Sequence, residues 1–344
     1  MRAAIFENGR VQVGEFPEPV PGKGHALVRT HRCGLCASDA HFIVSASTVV
    51  ERSRKTGGAY GGIDLAKPIV MGHEFVGEIL DYGPGSRRPL PTGTRVTAVP
   101  ALQTRHGLSI VGYYPECPGG YGEYMLLDED LLLEVPRDLD LELAALIEPL
   151  AVGVEHARAG EVREGEIPLV IGCGAIGLGV IAALRLLGIA PIVASDFDPA
   201  RRELALAMGA EVVVDPRETS PYQIRDDLGD RAPTVVYECV GKAGMLSQIV
   251  DGIAPGGRIV MGGYCLDPEQ VYVPTAQEKR LRVHFAGGET PDDMIAARDA
   301  IVAGSVDLRL WLGDGIGLSG VADSLTRMSD PASPVRTVVD PSRE

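Results

Sequence analysis

Ile167 to Gly177 reads IPLVIGCGAIG. An uncharged, apolar-leaning run (Ile167, Pro168, Leu169, Val170, Ile171) enters a glycine-rich turn, as expected of a parallel strand covered on both faces. Gly172-Cys173-Gly174-Ala175-Ile176-Gly177 then fits G-x-G-x-x-G. The first glycine permits the tight turn, the second lets backbone approach a pyrophosphate, and the third lets helix pack close to strand. A helix is predicted over 175–187, closed at Gly188 by a left-handed cap.

Such a hexapeptide is weak by itself; its surroundings strengthen it. A second strand ends at Val193-Ala194-Ser195, and Asp196 follows. It stands about 20 residues beyond the glycine turn, where an acid takes the adenosine ribose diol. A carboxylate there repels a 2′-phosphate, so the reading favours NAD over NADP. The alternative role for Asp196 is a surface residue beside the helix start Asp198-Pro199. Arg201 lies along the ribose or is a solvated helix charge. Strands predicted near 211–214, 234–238, 258–262 and 281–286, with helices near 199–208 and 242–253, continue a doubly wound α/β sheet.

The 344 residues suffice for two domains, each with its own core. A net charge of −15 and the absence of a basic run argue against nucleic acid or an anionic membrane as partner. No stretch reaches 18 apolar residues, and the opening MRAAIFENGRVQVGEF has no apolar core after Arg2, so no secretory leader is expected. Six scattered cysteines do not form a disulfide framework, which predicts a cytoplasmic protein with reduced thiols. No internal repeat or low-complexity linker is evident.

Outside the sheet unit, residues 1–30 read as short β elements separated by turns at Glu7-Asn8-Gly9 and 21–24. Cys33 and Cys36 in THRCGLCASDAHF are spaced C-x-x-C, but no second pair exists to build a zinc ribbon. Cys36 reads better as one ligand of a site completed from distant segments, with Cys33 a small buried apolar side chain. In PIVMGHEFVGEIL, His73 and Glu74 sit between apolar runs, where adjacent ionisable groups are costly to bury unless paired or bound to metal. Glu148 precedes Pro149, which predicts a kink or helix end at that carboxylate. Thr290-Pro291-Asp292-Asp293 is a helix start, and a helix near 319–328 and a strand at 335–339 are expected to return to the N-terminal domain.

Taken in order, GLCASDAH (34–41), GHEFVGE (72–78), GTRV (93–96), GGYGEY (119–124), IEPLAVG (147–153), GCGAIG (172–177) and YECVG (237–241) resemble the zinc-dependent medium-chain dehydrogenase/reductase family, most closely its sorbitol and polyol dehydrogenase branch. The resemblance spans nearly the whole chain. It implies a mainly β GroES-like catalytic domain at 1–150, completed by 288–344, and a Rossmann NAD-binding domain at 151–287. Cys36 and His73 are then zinc ligands, with Glu74 and Glu148 as alternative or additional carboxylate ligands. Ser38 is the first proton acceptor, relaying towards His41, and Asp39 orients a ligand. Gly172, Gly174, Ala175, Ile176, Gly177, Asp196, Arg201, Val240 and Gly262 are the implied cofactor contacts. The implied reaction passes hydride between a secondary alcohol, polyol or sugar and NAD, in a homodimer or homotetramer.

The chain departs from the family pattern twice. Between Thr94 and Pro118 only Cys117 occurs, so a four-cysteine structural zinc is excluded and one catalytic zinc per chain is expected. The interval from Cys36 to His73 is also long; its extra segment, 44–66, reads as a lid or a substrate-contacting loop, the alternative being a solvated excursion that touches nothing. A zinc-free quinone or enoyl reductase and a non-catalytic nucleotide-binding protein are the competing readings. Cys36, His73 and Glu148 together speak against the first, and the relay pair Ser38 and His41 against the second.

Overall fold

A computed structural model describes residues 1–104, 107–223, 231–328, 330 and 332–343. The chain divides into two compact units, Met1–Glu148 with Trp311–Glu344, and Pro149–Leu310. The segment 288–310, expected with the first domain, belongs to the second unit. There the helix Pro291–Val302, closed by a capping box at Thr290, is tied back by an ion pair between buried Asp293 and Arg158.

In the second unit the described residues form a six-stranded parallel sheet. Its spatial order is Val212–Val214, Val193–Ser195, Pro168–Ile171, Val235–Glu238, Arg258–Met261, Arg282–Phe285. Numbered along the chain this is 3-2-1-4-5-6, the dinucleotide-binding order. The central strand Pro168–Ile171 is buried throughout, which explains its unbroken apolar composition. The edge strand Arg282–Phe285 is exposed at all four positions.

The first unit is built of antiparallel strands. His25–Gly34 is its hub, paired with Glu74–Tyr82, with Tyr124–Asp128 and with Val338–Val339. Large apolar side chains such as Phe75, Met71, Tyr121 and Ile79 fill the interior, each contributing about 1.5–3 kcal/mol. The register has a local consequence. Gly34 lies opposite Glu74 on one side and Val338 on the other. Cys36, His73, Glu74 and Arg336 are therefore delivered to the same end of the sheet. A side chain at residue 34 would force the Glu74 carboxylate to move, because its Cβ would lie 2.2 Å from Glu74 Oε2.

The long segment after Cys36 is mostly helix. Ala37–Thr56 runs 20 residues with a kink at Ser45, and Val49 and Val50 are buried against the unit's core. Neither a free lid nor a purely solvated excursion describes it. Pro149 likewise does not end a helix. The short helix Leu141–Ala144 stops first, and Ile147–Ala159 starts with Pro149 in its first turn, where a missing N–H costs nothing.

Candidate functional site

Cys36 is the N-cap residue of the helix Ala37–Thr56, in extended conformation, so its side chain leaves the helix at the end where backbone N–H groups point outward. His73 and Glu74 enter from the neighbouring strand. The Cys36 thiol, one His73 ring nitrogen and a Glu74 carboxylate oxygen all lie within 4.8 Å of one another. Among the described residues this is the one group of three such side chains gathered closely enough to hold a metal ion.

The surroundings fix how each member can act. Asp39, fully buried, places Oδ1 3.3 Å from His73 Nδ1, and its Oδ2 accepts the Tyr121 hydroxyl at 2.6 Å. With Nδ1 facing a carboxylate, Nε2 is left as the ligating nitrogen. Burial works against the Asp39 carboxylate, but the charge and hydrogen bond of His73 outweigh it and hold its pKa below the ordinary value. Burial also opposes the His73 imidazolium, yet Asp39 and then Cys36 raise its pKa well above the usual range. A metal entering here displaces that proton.

Glu74 is sealed from solvent and faces Arg336, with Nη2 2.9 Å from Oε1. The approach is not aligned as a hydrogen bond; among the described residues neither carboxylate oxygen of Glu74 has an aligned donor, and the Cys36 thiol lies close enough to favour the carboxylate. Burial pushes the Glu74 pKa up, and Arg336 pulls it down. A buried carboxylate with unfilled oxygens beside a thiol and an imidazole suits a divalent cation. One sulfur, one nitrogen and one oxygen donor make a zinc-type set that leaves a coordination position open.

Glu148 is buried in the first turn of its helix and is not part of this group. Its charge is felt at Arg336, which also faces Glu74 and Cys36. Ser38 Oγ donates to Cys36 Sγ at 3.2 Å, lies 3.4 Å from His73 Nε2, and is 3.1 Å from the Tyr113 hydroxyl. His41, one turn along, is exposed and lines an apolar cavity of about 590 Å³ with Ala37, Ala40 and Leu325. Cys33 is buried without exposure, beneath Gly72 and Gly120.

Sequence reasoning missed Tyr113, Tyr121 and Arg336. Arg336 left a signal, as a lone cation next to the apolar strand Val338–Val339; the tyrosines left none, because nothing local marks their partners as Ser38 and Asp39.

In the second unit the glycine turn has the form its residue types require. Gly172 takes φ +91°, and a Cβ on Gly177 would lie 1.8 Å from the Gly172 carbonyl oxygen. Gly174 caps the helix Ala175–Leu186, leaving its first N–H groups open to an anion. Asp196 Oδ2 accepts the Cys173 N–H at 2.7 Å and Oδ1 the Asp198 N–H at 2.8 Å, so this acid also ties the turn to the next strand. The partly exposed Val240 packs on Gly172, and Gly262 lies against the His156 ring. Arg201 is half-buried early in the helix Pro199–Met208.

Residues 22–137 match the family model for the alcohol dehydrogenase GroES-like domain, and residues 175–303 the model for zinc-binding dehydrogenases. (R,R)-butanediol dehydrogenase of Bacillus subtilis is 30% identical over 277 residues, covering 76% of this chain and 77% of that protein. Sorbitol dehydrogenase of the same organism is 27% identical over 350 residues, covering 95% and 93%. The crystal structure of 2R,3R-butanediol dehydrogenase from Bacillus subtilis superposes with a TM-score of 0.82 at 25% identity, covering 99% of both chains. The chain belongs to the zinc-binding alcohol dehydrogenase family and is an oxidoreductase of that family. Among the described residues no helix is long and apolar enough to cross a membrane.

Proposed function

We propose that this protein is an NAD-dependent dehydrogenase of secondary alcohols, polyols or sugars, holding one zinc ion per chain. The observation that carries the reading is the convergence of Cys36, His73 and Glu74 within 4.8 Å. Cys36 would hold the ion through Sγ, His73 through Nε2, and Glu74 through a carboxylate oxygen, with Glu148 in reserve nearby. When bound there, zinc supplies a Lewis acid that makes an alcohol acidic enough to lose its proton near neutral pH.

The chain's own residues do the rest. Asp39 holds the His73 ring in one orientation and one tautomer. Ser38, already within hydrogen-bond reach of Cys36, takes the alcohol proton, and His41 passes it to solvent. The glycine turn and the start of the helix Ala175–Leu186 bind the pyrophosphate of NAD, while Asp196 and Arg201 hold the ribose diol. Asp196 disfavours a 2′-phosphate by charge repulsion. The exposed edge strand Arg282–Phe285, with Phe285 73% exposed, supports assembly into a homodimer or homotetramer, since an open strand edge invites pairing with a second copy. A cytoplasmic location fits the six free cysteines.

Metal content and turnover test this together. Dialysed wild type is expected to hold about one zinc per chain and to reduce NAD with 2,3-butanediol or sorbitol, and His73→Ala to lose both. Zinc-free wild type with no alcohol oxidation would sink the reading.

A further inference from the structure

Tyr113 borders the proposed site and has no role in the steps above. Its side chain is buried, its hydroxyl lies 3.1 Å from Ser38 Oγ, and its ring centroid is 5.7 Å from that of His73. Two rings hold it in place edge-on: Phe42 at 5.0 Å and Tyr60 at 5.4 Å. Tyr60 comes from the segment that follows the helix Ala37–Thr56. That segment is anchored beside Tyr113, because the hydroxyl of Tyr114 donates to the Ala59 carbonyl at 2.6 Å.

A serine hydroxyl has one proton to give and two lone pairs. Ser38 directs its proton at Cys36 Sγ, 3.2 Å away. Towards Tyr113 it can then only accept. A phenol keeps its proton at neutral pH, and the Tyr113 hydroxyl faces Ser38 Oγ at 3.1 Å and the Asp39 carboxylate as well. One lone pair of Ser38 is thereby filled; the other faces His73 Nε2 at 3.4 Å and would be left for an incoming hydroxyl once a metal takes that nitrogen.

We propose that Tyr113 is a positioning residue of the reaction: it donates to Ser38 Oγ and fixes the direction of that hydroxyl, and Tyr60 holds Tyr113 in place. The inference rests on the dehydrogenase reading above, in which Ser38 takes the substrate's proton. It also assigns a task to the long segment between Cys36 and His73.

The test compares Tyr113→Phe, Tyr60→Ala, Tyr60→Phe and the double variant Tyr113→Phe/Tyr60→Ala, all zinc-loaded, with NAD and 2,3-butanediol or sorbitol as probes. Loss of one hydrogen bond that acts on Ser38 predicts a fall in kcat of about tenfold in Tyr113→Phe, with KM nearly unmoved. Tyr60→Ala loses kcat in the same direction, Tyr60→Phe recovers most of that loss, and the double variant is no worse than Tyr113→Phe alone.

A second readout needs no turnover. In Co2+-substituted protein, the thiolate-to-metal charge-transfer band reports hydrogen bonding to Cys36. A hydroxyl that accepts a hydrogen bond is the better donor, so Tyr113→Phe weakens the donation from Ser38 to Cys36. The band is expected to move to longer wavelength, in the direction of Ser38→Ala. An unmoved band in Tyr113→Phe, with or without a fall in kcat, overturns the inference. Strictly additive losses in the double variant overturn the part given to Tyr60. A wild type that binds no metal and oxidises neither probe overturns the dehydrogenase reading instead.

Discussion

Arg336 Nη2 lies 2.9 Å from Glu74 Oε1, and both side chains are sealed from water. The pairing follows from strand register, because the two chain segments flank Gly34 on opposite sides. Breaking a buried pair leaves a charge in low dielectric without its counterpart. Arg336→Met is therefore expected to destabilise the zinc-free protein by about 3–5 kcal/mol. Adding Glu74→Gln to it returns part of that loss, because the uncompensated carboxylate is then gone. Urea unfolding of the four proteins measures both quantities, and fully additive losses would mean that the two side chains do not interact.

Asp39→Asn addresses metal affinity rather than stability. An amide can still accept from Tyr121 and face His73 Nδ1, but it no longer makes the imidazole more basic. Zinc affinity is expected to fall about 10–100-fold, measured by competition with a chelator at fixed pH. An unchanged affinity would show that the His73 ring is oriented by packing alone.

Much of this arrangement was legible in the sequence, for identifiable reasons. The dinucleotide unit announces itself locally: a strand with both faces buried must be apolar, and Gly172 and Gly177 are needed where φ is +91° or where a Cβ would lie 1.8 Å from a carbonyl oxygen. His73 and Glu74 were legible as adjacent ionisable residues between apolar runs, and Cys36 as a thiol whose C-x-x-C pair has no second pair to complete a ribbon. Contacts set by long-range register were not. Asp39 and Tyr121 are 82 positions apart in the chain, and nothing in either segment encodes the other. The segment 44–66 read as loop because its charges and glycines lack a strong apolar stripe, yet most of it is helix, with Val49 and Val50 buried. Glu148 was grouped with the metal ligands, and it lies outside the group of three that the structure gathers.

Asp196 carries two tasks that one substitution separates. Its carboxylate accepts two backbone N–H groups, from Cys173 and Asp198, and is proposed to repel a 2′-phosphate. Asp196→Ser is expected to narrow the preference for NAD over NADP at least about tenfold in kcat/KM, a charge effect of about 1.4 kcal/mol. It also costs about 1 kcal/mol of stability through the weakened turn. Parallel loss of activity with both cofactors would leave the turn as the only role of this acid.

The pair Glu166–Arg258 gives the second unit a specific acid sensitivity. Arg258 is buried, donates to the carbonyls of Gly160 and Glu161, and grips both carboxylate oxygens of Glu166. Burial opposes the Glu166 carboxylate, but the hydrogen bonds of Arg258 and of the Arg163 N–H outweigh it, so its pKa is lowered. A carboxyl with a depressed folded-state pKa stabilises fully above its unfolded value, about 4.3, and loses that contribution as pH falls through the folded value. Glu166→Gln should therefore be less stable than wild type by about 2 kcal/mol at neutral pH. The gap should hold down to about pH 5 and close below about pH 4, as the wild-type carboxyl takes up its proton. Denaturant unfolding across that range checks it. A gap that stays constant to pH 3 would mean that Arg258 holds the neutral side chain as well as the charged one, and that its carbonyl contacts at Gly160 and Glu161 carry the stability.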